Sequence, residues 1–341
     1  MNEYNNVSNP IKQTQIPDMI MDDDLKVKII GFGALNLDKL YYVDKIIGPD
    51  EETFIKNETQ VPGGSAANTI IALSKLGILT SYIGKISTDD EGDILETNLA
   101  EHGVYLNHLI YADKGNSGKV IGLIDEEGVR SLYVDPGVND DIKIEELNHF
   151  FINQAKIIHY TSFVGESFQT QKQLIDKLND KIILSFDPGM LYVKKGVKEL
   201  EKILKRTNIL LMNKKEIIKL FQKHYQEKYK TKTQPTFRDI ANYLIKDGIN
   251  TVVIKNGSKG AYAINQKEEV KIPAYKVEPI DTTGAGDFFN AGFLYSYLNN
   301  YSLQNSVKIG NWIASQSIKN KGLKSLPTKK ELEEFIKKLD Q

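Results

Sequence analysis

A carboxylate follows a glycine-rich turn at residues 281–287, which read DTTGAGD and run directly into the apolar stretch Phe288–Leu298. Glycine lets a backbone approach a ligand closely and adopt positive φ values. The first N–H groups of a helix have no partner within the helix, and the helix dipole favours negative charge there. Because an apolar helix is expected at Phe288–Leu298, the turn before it is predicted to bind an anion, for which phosphate is the natural candidate.

The last residue of this turn, Asp287, would repel a bound phosphate unless its carboxylate served the reaction. A carboxylate beside a phosphate site can take the proton of an attacking hydroxyl, while the amides of the turn stabilise the transferred phosphoryl group. The alternative is that Asp287 only complements the positive end of the helix, an interaction of about 0.3–1 kcal/mol. The turn alone leaves both interpretations open.

Three further loops place glycines or polar residues directly after apolar runs. Pro62–Asn68 (PGGSAAN) opens another helix, and its glycines allow a close backbone approach, although a tight turn with Asn68 as a cap gives the same pattern. Asn256–Gly260 (NGSKG) has a similar glycine content. Asn213–Glu216 (NKKE) can bind Mg²⁺ through water or form a capping box.

Short apolar runs alternate with stretches of helical periodicity along most of the chain. The strand-like runs are Val27–Gly33, Ser81–Lys85, Ile157–Tyr160, Ile182–Phe186, Ile209–Met212, Thr251–Lys255, Ala261–Ile264 and Ala274–Ile280. The helical patterns between them include Ala67–Leu76, Phe168–Leu178, Ile240–Ile245 and Phe288–Leu298. This alternation predicts an α/β fold with a mostly parallel sheet covered on both faces. In such a sheet ligands bind beyond the carboxyl ends of the strands, where the glycine-rich loops lie.

Two stretches, Leu37–Phe54 and Lys119–Val134, break this rhythm with alternating residues and turn signals. The second reads as two strand-like runs joined by the turn EEG, which predicts a β-hairpin. We expect these stretches to form a small β-sheet lid over the mouth of the main sheet. Exposed lid strands favour pairing with a second copy of the chain, so a homodimer through the lid is also expected.

The composition excludes several functional classes. The chain has 341 residues, a net charge of −1 and no cysteine, which argues against a nucleic-acid or anionic membrane partner and excludes a thiolate metal site. The five histidines lack the spacing of a zinc site, and charged residues interrupt every apolar run before membrane-spanning length. Residues 1–24 are polar and without an apolar core, so we expect a mobile tail and a cytoplasmic location.

Two common nucleotide-binding motifs are also absent. The sequence contains no GxxxxGK[ST], so a Walker-type phosphate loop is excluded. The segment GFGALN (Gly31–Asn36) lacks the third glycine of the dinucleotide-binding fingerprint, which argues against a dinucleotide-dependent oxidoreductase.

Together the motifs resemble the ribokinase-like (PfkB) carbohydrate kinase family, in the family's order, from about Lys26 to about Pro327. The paired glycines with SAAN and the segment DTTGAGD are similar to the two signature regions of the family, and NxxE and GSxG lie between them. The resemblance implies a three-layer α/β/α sandwich over residues 25–341. It further implies a β-sheet lid formed by residues 37–60 and 115–138, approximately.

The resemblance also implies roles for individual residues. Asp287 would be the general base, with the backbone of Gly284, Ala285 and Gly286 as its anion hole. Five residues would bind the acceptor: Asn36, Asp38, Gly63, Gly64 and Asn68. Five would bind the nucleotide: Asn213, Gly257, Ser258, Gly260 and Asn311. Glu216 would bind Mg²⁺ through water, and a monovalent cation such as K⁺, found in some members, would lie near Asp281, Thr283 and Gly322.

The leading hypothesis is an ATP- and Mg²⁺-dependent kinase that phosphorylates a hydroxyl of a small sugar. A nucleoside kinase is the alternative, because Ser65 and Ala66 stand where ribokinases have lysine and glycine, and because SFDPG (residues 185–189) resembles nucleoside kinases. Three tyrosines of the lid region would then be placed to stack on a base: Tyr41, Tyr42 and Tyr133. A third hypothesis is a sugar- or nucleotide-sensing protein without catalysis.

Overall fold

The computed structural model describes residues 26–320 and 322–339, so the predicted tail at residues 1–24 lies outside the described residues. The strands in these ranges are, in chain order, β1 (Ile29–Phe32), β2 (Asn36–Val43), β3 (Ile55–Gly63), β4 (Thr80–Ser87), β5 (Leu109–Ala112), β6 (Lys119–Ile124), β7 (Arg130–Asp135), β8 (Ile157–Tyr160), β9 (Ile183–Phe186), β10 (Ile209–Asn213), β11 (Thr251–Lys255), β12 (Ala261–Asn265) and β13 (Glu269–Ile272). The helices are α1 (Ser65–Lys75), α2 (Asp90–Glu101), α3 (His149–Ile152), α4 (Ser167–Ile175), α5 (Gly189–Val193), α6 (Val197–Arg206), α7 (Lys214–Lys228), α8 (Phe237–Lys246), α9 (Ala285–Leu298), α10 (Leu303–Ser317) and α11 (Lys329–Leu339). Short 3₁₀ turns occur at Gly137–Asp141, Ile144–Glu146, Gly257–Lys259 and Gly322–Ser325.

The larger sheet contains nine of the described strands in the order β13-β12-β11-β10-β9-β8-β1-β4-β5. Neighbours from β11 to β5 pair in parallel, while β12 and β13 add an antiparallel hairpin at one edge. Ile29 packs into one helical layer and Ile30 into the other, which explains why the central strands are continuously apolar.

Helices cover both faces of this sheet. Residues of α1, α2, α9, α10 and α11 fill the core on one face, and residues of α3 to α8 fill the core on the other. The predicted three-layer α/β/α sandwich is therefore confirmed. None of the helices in the described ranges combines the length and apolarity needed to cross a bilayer.

The smaller sheet has four strands in the order β3-β2-β6-β7. The predicted hairpin is confirmed as β6 and β7, and its turn is closed by the Gly128 N–H, which donates to the Asp125 carbonyl at 3.0 Å. The range Leu37–Phe54 holds one strand of the smaller sheet, β2. Its partner β3 begins at Ile55, after a connection that contains Gly48, Pro49 and a positive-φ Asp50 and has no strand of its own.

The predicted strand at Ala274–Ile280 is also wrong, because this segment has no regular secondary structure. Pro273 follows the end of β13, and Pro279 lies within the segment, so both positions lack the N–H that a ladder needs. The side chain of Asn311 instead holds the end of β13, donating to the carbonyls of Ile272 and Pro273 at 3.2 and 3.1 Å.

Candidate active site

The polar residues with catalytic potential gather at the carboxyl ends of the central parallel strands. Asp187 follows β9, while Asn213 ends β10 and Lys255 ends β11. The beginning of α9 lies above these strand ends, since the Lys255 ammonium donates to Asn290 Oδ1 of that helix at 3.0 Å. The site therefore lies where an open parallel sheet usually binds its ligands.

The turn before α9 exposes backbone donors. Gly284 caps the helix with φ 73°, a left-handed conformation that glycine adopts without a side-chain clash. The Ala285 N–H is used within the turn, where it donates to the Thr282 carbonyl at 3.3 Å. Among the described residues, the N–H groups of Gly286 and Asp287 find no protein acceptor and remain available to an anion.

Asp287 is held by the first turns of α1. The Asn68 side-chain amide donates to Asp287 Oδ2 at 2.9 Å, and the Thr69 hydroxyl donates to the Asp287 carbonyl at 3.1 Å. Burial, together with the negative charge of Asp187, raises the pKa of Asp287 to about 7, against the opposing effects of the Asn68 hydrogen bond and the Lys255 ammonium. A carboxyl group that titrates near neutral pH is suited to accept a proton from a hydroxyl.

Asp38 lies on the smaller sheet and faces the same loop as Asp287. It pairs with Val61 of β3 and Val120 of β6, and burial raises its pKa to about 6. Its carboxylate packs against the backbone of Gly63, where a Cβ in place of the glycine hydrogen would lie 3.0 Å from Asp38 Oδ2. The loop from Pro62 to Asn68 thus connects the Asp38 carboxylate with the Asp287 carboxylate.

Gly64, at the centre of this loop, adopts φ 121°, and a Cβ there would lie 2.3 Å from the Ala34 carbonyl oxygen. Replacing Gly64 with alanine is expected to lower the free energy of unfolding by about 1–3 kcal/mol or more, because the change adds a backbone clash to the strain of a positive φ. Urea unfolding followed by circular dichroism measures this change.

Gly196→Ala is the matched control for this prediction, because Gly196 also has a positive φ but a Cβ there meets no atom within 4 Å. The Gly64 variant is expected to lose more stability than the Gly196 variant. Equal losses would contradict the close approach of Gly64 to Ala34.

The strand register separates the three tyrosines proposed to stack on a base. Side chains alternate along β2, so Tyr42 shares a face with Asp38, whereas Tyr41 lies on the opposite face. Tyr133 pairs with Ile121, and Ile121 pairs with Lys39, the neighbour of Asp38. The side chain of Tyr133 therefore also lies on the sheet face that is opposite to the face of Asp38. Only Tyr42 therefore shares the sheet face of Asp38, and the expectation for Tyr41 and Tyr133 is wrong.

Asn139, which sequence reasoning missed, contacts the candidate residue Asn36. Its buried side chain accepts from the Leu35 N–H at 3.1 Å, and its Nδ2 donates to the Leu35 carbonyl and, at 2.9 Å, to Asn36 Oδ1. Asn139 thereby fixes Asn36 at the beginning of β2. The only local sequence signal is its place in the PGVN turn directly after the predicted hairpin.

A second missed feature is a buried ion pair below α9. The Lys255 ammonium donates to Asp187 Oδ2 at 2.6 Å, and Asn290 Nδ2 donates to the same oxygen at 2.7 Å. Although burial raises the pKa of Asp187, the Lys255 ammonium and the Asn290 amide hold it below its usual value. Asp187 lies in SFDPG and Lys255 ends a predicted strand, so their placement at strand ends was the available signal.

The NKKE segment forms the capping box at the beginning of α7. Asn213 Oδ1 accepts from the N–H groups of Lys215 and Glu216, both at 2.9 Å, and Glu216 Oε2 accepts from the Asn213 N–H at 2.9 Å. The side chain of Glu216 is buried, and burial, together with the negative charge of Asp187, raises its pKa. The structural alternative for this motif is thus confirmed, and its role toward Mg²⁺ stays a prediction.

The charges around this strand edge suit a cation. The Asp187 carboxylate raises the pKa of both Glu216 and Asp287, and the Lys255 ammonium lowers the pKa of both. Within residues 26–320 and 322–339, no group of three or more His, Asp or Glu side chains is close enough to hold a metal directly. The arrangement therefore fits an ion bound through water and phosphate oxygens, as Mg²⁺ usually is.

The other predicted residues lie near this edge or in turns beside it. Gly257, Ser258 and Gly260 form the tight turn between β11 and β12, where the Asn256 N–H donates to the Gly260 carbonyl at 2.8 Å. Asn311 is buried on α10, where its side chain holds the end of β13. Their contacts with a nucleotide stay predictions.

The predicted monovalent-cation residues occupy two turns. Asp281 Oδ1 accepts from the Thr283 N–H at 2.9 Å, which closes the turn before α9. Gly322 begins the 3₁₀ turn that precedes α11. A cation bound between these turns stays a prediction.

Comparison with known proteins gives consistent results for the sequence and the structure. The family model described as pfkB family carbohydrate kinase matches residues 27–330. A protein of Archaeoglobus fulgidus described as an uncharacterized sugar kinase is 38% identical over 256 residues, which cover 74% of this chain and 96% of that protein. An ATP-dependent ribose-1-phosphate kinase of Halopiger xanaduensis is 27% identical, over 91% of this chain and 98% of its own. The crystal structure of a ribokinase from Thermotoga maritima is similar with a TM-score of 0.79 at 25% identity, over 91% of this chain and 99% of that one.

Proposed function

The chain belongs to the pfkB family of carbohydrate kinases, and we propose that it transfers the γ-phosphoryl group of ATP to a hydroxyl of a small sugar, with Asp287 as the general base. As a member of this family it is a phosphotransferase of the sugar and nucleoside kinase class. The observation that carries the assignment of Asp287 is its position: a carboxyl group with a pKa of about 7 stands at the open N-terminus of α9 and is oriented by Asn68.

The proposed reaction is a direct in-line transfer. Asp38 accepts hydrogen bonds from the acceptor's hydroxyls, because an ionised carboxylate is a strong acceptor, and so positions the sugar beside the loop at residues 62–68. Asp287 takes the proton of the attacking hydroxyl as its oxygen bonds to the γ-phosphorus and the bond to ADP breaks. The N–H groups of Gly286 and Asp287 stabilise the charge on the transferring group.

Two further parts of the structure support this reaction. When bound, Mg²⁺ would neutralise charge on the nucleotide phosphates, and Asn213 and Glu216 would hold it through water. The smaller sheet lies over the site through Asp38, and its closure onto bound substrates would exclude water, so that hydrolysis of ATP does not compete.

Replacing Glu216 with glutamine is expected to raise the Mg²⁺ concentration needed for half-maximal ADP binding several-fold. The reason is that the variant loses about one charge-assisted hydrogen bond to the water that surrounds the ion. Glutamine can still accept the Asn213 N–H, so the capping box and the thermal stability should persist. Calorimetric titration of ADP at several Mg²⁺ concentrations measures the effect.

Glu331→Gln provides the control for that variant, because Glu331 caps α11 in the same way through Thr328. This control should leave the Mg²⁺ dependence unchanged. If the Glu216 variant behaves like the Glu331 variant, Glu216 has only its capping role.

Two types of acceptor besides a free sugar are compatible with this site. A nucleoside is the second candidate, and Tyr42 is the observation that favours it, because its ring shares a sheet face with Asp38 and could cover a base. The Halopiger relative is described as a ribose-1-phosphate kinase, which makes a sugar phosphate a third type of acceptor to test.

A substrate panel distinguishes these acceptors. Free pentoses and hexoses, ribose 1-phosphate, adenosine, inosine and cytidine would each be incubated with the protein, ATP and Mg²⁺, and ADP release would be measured by a coupled assay. We expect kcat/KM to be highest for a free sugar. A nucleoside with a higher kcat/KM would replace the sugar as acceptor, and acceptor-independent ADP release would contradict both.

A further inference from the structure

The ion pair below α9 is unusually well enclosed for two charged groups. Lys255 and Asp187 keep only 14% and 8% of their side chains exposed, and their atoms are 2.6 Å apart. Asn290 bonds both partners, donating to Asp187 Oδ2 at 2.7 Å and accepting from the Lys255 ammonium at 3.0 Å. The three side chains come from β11, the loop after β9 and helix α9, so they join three parts of the site.

Stability alone is a weak reason for such a pair. Removing two charges from water is costly, and apolar side chains of similar volume often replace a buried ion pair without loss of stability. A buried ion pair beside a ligand site is therefore better explained by what its charge does for the ligand.

The position of the ammonium indicates what that ligand is. Lys255 Nζ lies 3.4 Å from the place where a Cβ of Gly286 would be, so it touches the flank of the turn whose N–H groups are free. Asn290 lies three residues after Asp287 and therefore on the same side of α9. A full positive charge thus stands next to the amides of Gly286 and Asp287.

We propose that Lys255, held in place by Asp187 and Asn290, completes the anion hole at the beginning of α9 and contacts the γ-phosphoryl group. This inference rests on the proposed function, because it assigns the group that the site transfers. A lysine ammonium has three N–H donors, and two of them bond Asp187 and Asn290, which leaves the third for a phosphoryl oxygen. Asp187 and Asn290 are positioning residues in this arrangement, and Lys255 is the residue that touches the substrate.

The positive charge of Lys255 also acts on the general base, Asp287. The Lys255 ammonium lowers the proton affinity of Asp287 and the Asp187 carboxylate raises it, while Asn68 of α1 donates a hydrogen bond to the same carboxyl group. The His159 ring of β8 interacts with Asp187 and Lys255, and its pKa is lowered to about 4 by burial, so it is neutral at pH 7. Lys255 is thus the cation that faces both the phosphoryl site and the general base.

The test compares Lys255→Met with the double variant Lys255→Met/Asp187→Leu. The single variant leaves Asp187 buried without its partner and is expected to lose stability, whereas the double variant replaces the ion pair by an apolar pair and should recover it. Both variants are expected to lose about 10²-fold in kcat, as loss of one anion-hole donor does. We expect the wild type to bind a non-hydrolysable ATP analogue more tightly than ADP in calorimetry with Mg²⁺, and we expect both variants to lose this preference.

Lys205→Met is the control, because Lys205 is an exposed residue of α6 that pairs with Glu201. It should change neither kcat nor the ratio of the two dissociation constants. A double variant that recovers both stability and activity would overturn the proposal and reduce the ion pair to a structural element. An unchanged ratio of dissociation constants in both Lys255 variants would overturn it as well.

The two readouts separate this inference from the proposed function. If the wild type prefers the ATP analogue and the Lys255 variants lose that preference, but no acceptor is phosphorylated, the anion-hole role holds and the kinase assignment fails. If the wild type phosphorylates an acceptor and the Lys255 variants do so equally well, the kinase assignment holds and the role of Lys255 fails. Absence of nucleotide binding by the wild type would contradict both.

Discussion

Asp287→Asn is expected to lower kcat by about 10²–10⁴-fold, the range that loss of a general base usually produces. The dissociation constant of ATP should change little, because asparagine has nearly the same shape and can still accept the hydrogen bond from Asn68. Steady-state kinetics and calorimetric titration with ATP measure the two effects. Asp180→Asn, in the connection before β9, serves as the control with unchanged turnover.

The pH dependence of the wild type follows from the same residue. Burial raises the pKa of Asp287 to about 7, and the base must be unprotonated to act, so kcat/KM should rise about tenfold per pH unit below that value and level off above it. A profile that is flat between pH 5 and 8 would contradict the assignment of Asp287.

The raised pKa also has a consequence for stability. A carboxyl group with a higher pKa in the folded state than in the unfolded state binds more protons when folded, so its contribution to stability is lost as pH rises from the unfolded value toward about 7. Asparagine cannot ionise, and the Tm of the Asp287→Asn protein should therefore exceed that of the wild type by more at pH 8 than at pH 4. Differential scanning calorimetry at both pH values checks this.

The second large effect is expected for Asp38→Ala, which should lower kcat/KM for the acceptor by about 10²–10³-fold. The reason is that the variant loses hydrogen bonds from acceptor hydroxyls to a charged group, each contributing about 1.5–3 kcal/mol. The KM for ATP should stay close to that of the wild type, because Asp38 lies on the smaller sheet and the nucleotide is assigned to the edge of the larger one.

Asp44→Ala is the matched control for Asp38→Ala, because Asp44 directly follows the same strand and is exposed. The control should keep the acceptor KM of the wild type. If Asp38→Ala raises the KM for ATP as much as that for the acceptor, the separation of the two binding sites is wrong.

The architecture was largely predictable because the signals for it are local. Buried parallel strands are apolar on both faces, so the runs at β1, β8, β9, β10 and β11 were recognisable without any knowledge of their partners. The wrong strand at Ala274–Ile280 shows the limit of this signal. Its residues alternate as in a strand, but Pro273 and Pro279 remove the donors that a ladder would need.

The site was predictable only where its residues cluster along the chain. DTTGAGD and PGGSAAN each place several candidate residues within one short loop, so both loops were recognisable in the sequence, and the resemblance to the family suggested their roles. The ion pair between Asp187 and Lys255 joins residues 68 positions apart, and Asn139 bonds Leu35 across 104 positions. Such contacts depend on the order of strands in the sheet, which local spacing does not encode.

A single-turnover measurement tests most directly whether Asp287 acts as the general base in phosphoryl transfer to a carbohydrate hydroxyl. Wild-type protein in excess over radiolabelled ATP would be mixed with the best acceptor of the panel, and formation of the labelled phosphate ester would be followed beside the Asp287→Asn protein. We expect rapid ester formation by the wild type and a rate constant lower by about 10²–10⁴-fold for the variant. Equal rate constants for the two proteins, or labelled inorganic phosphate as the only product of the wild type, would contradict this claim.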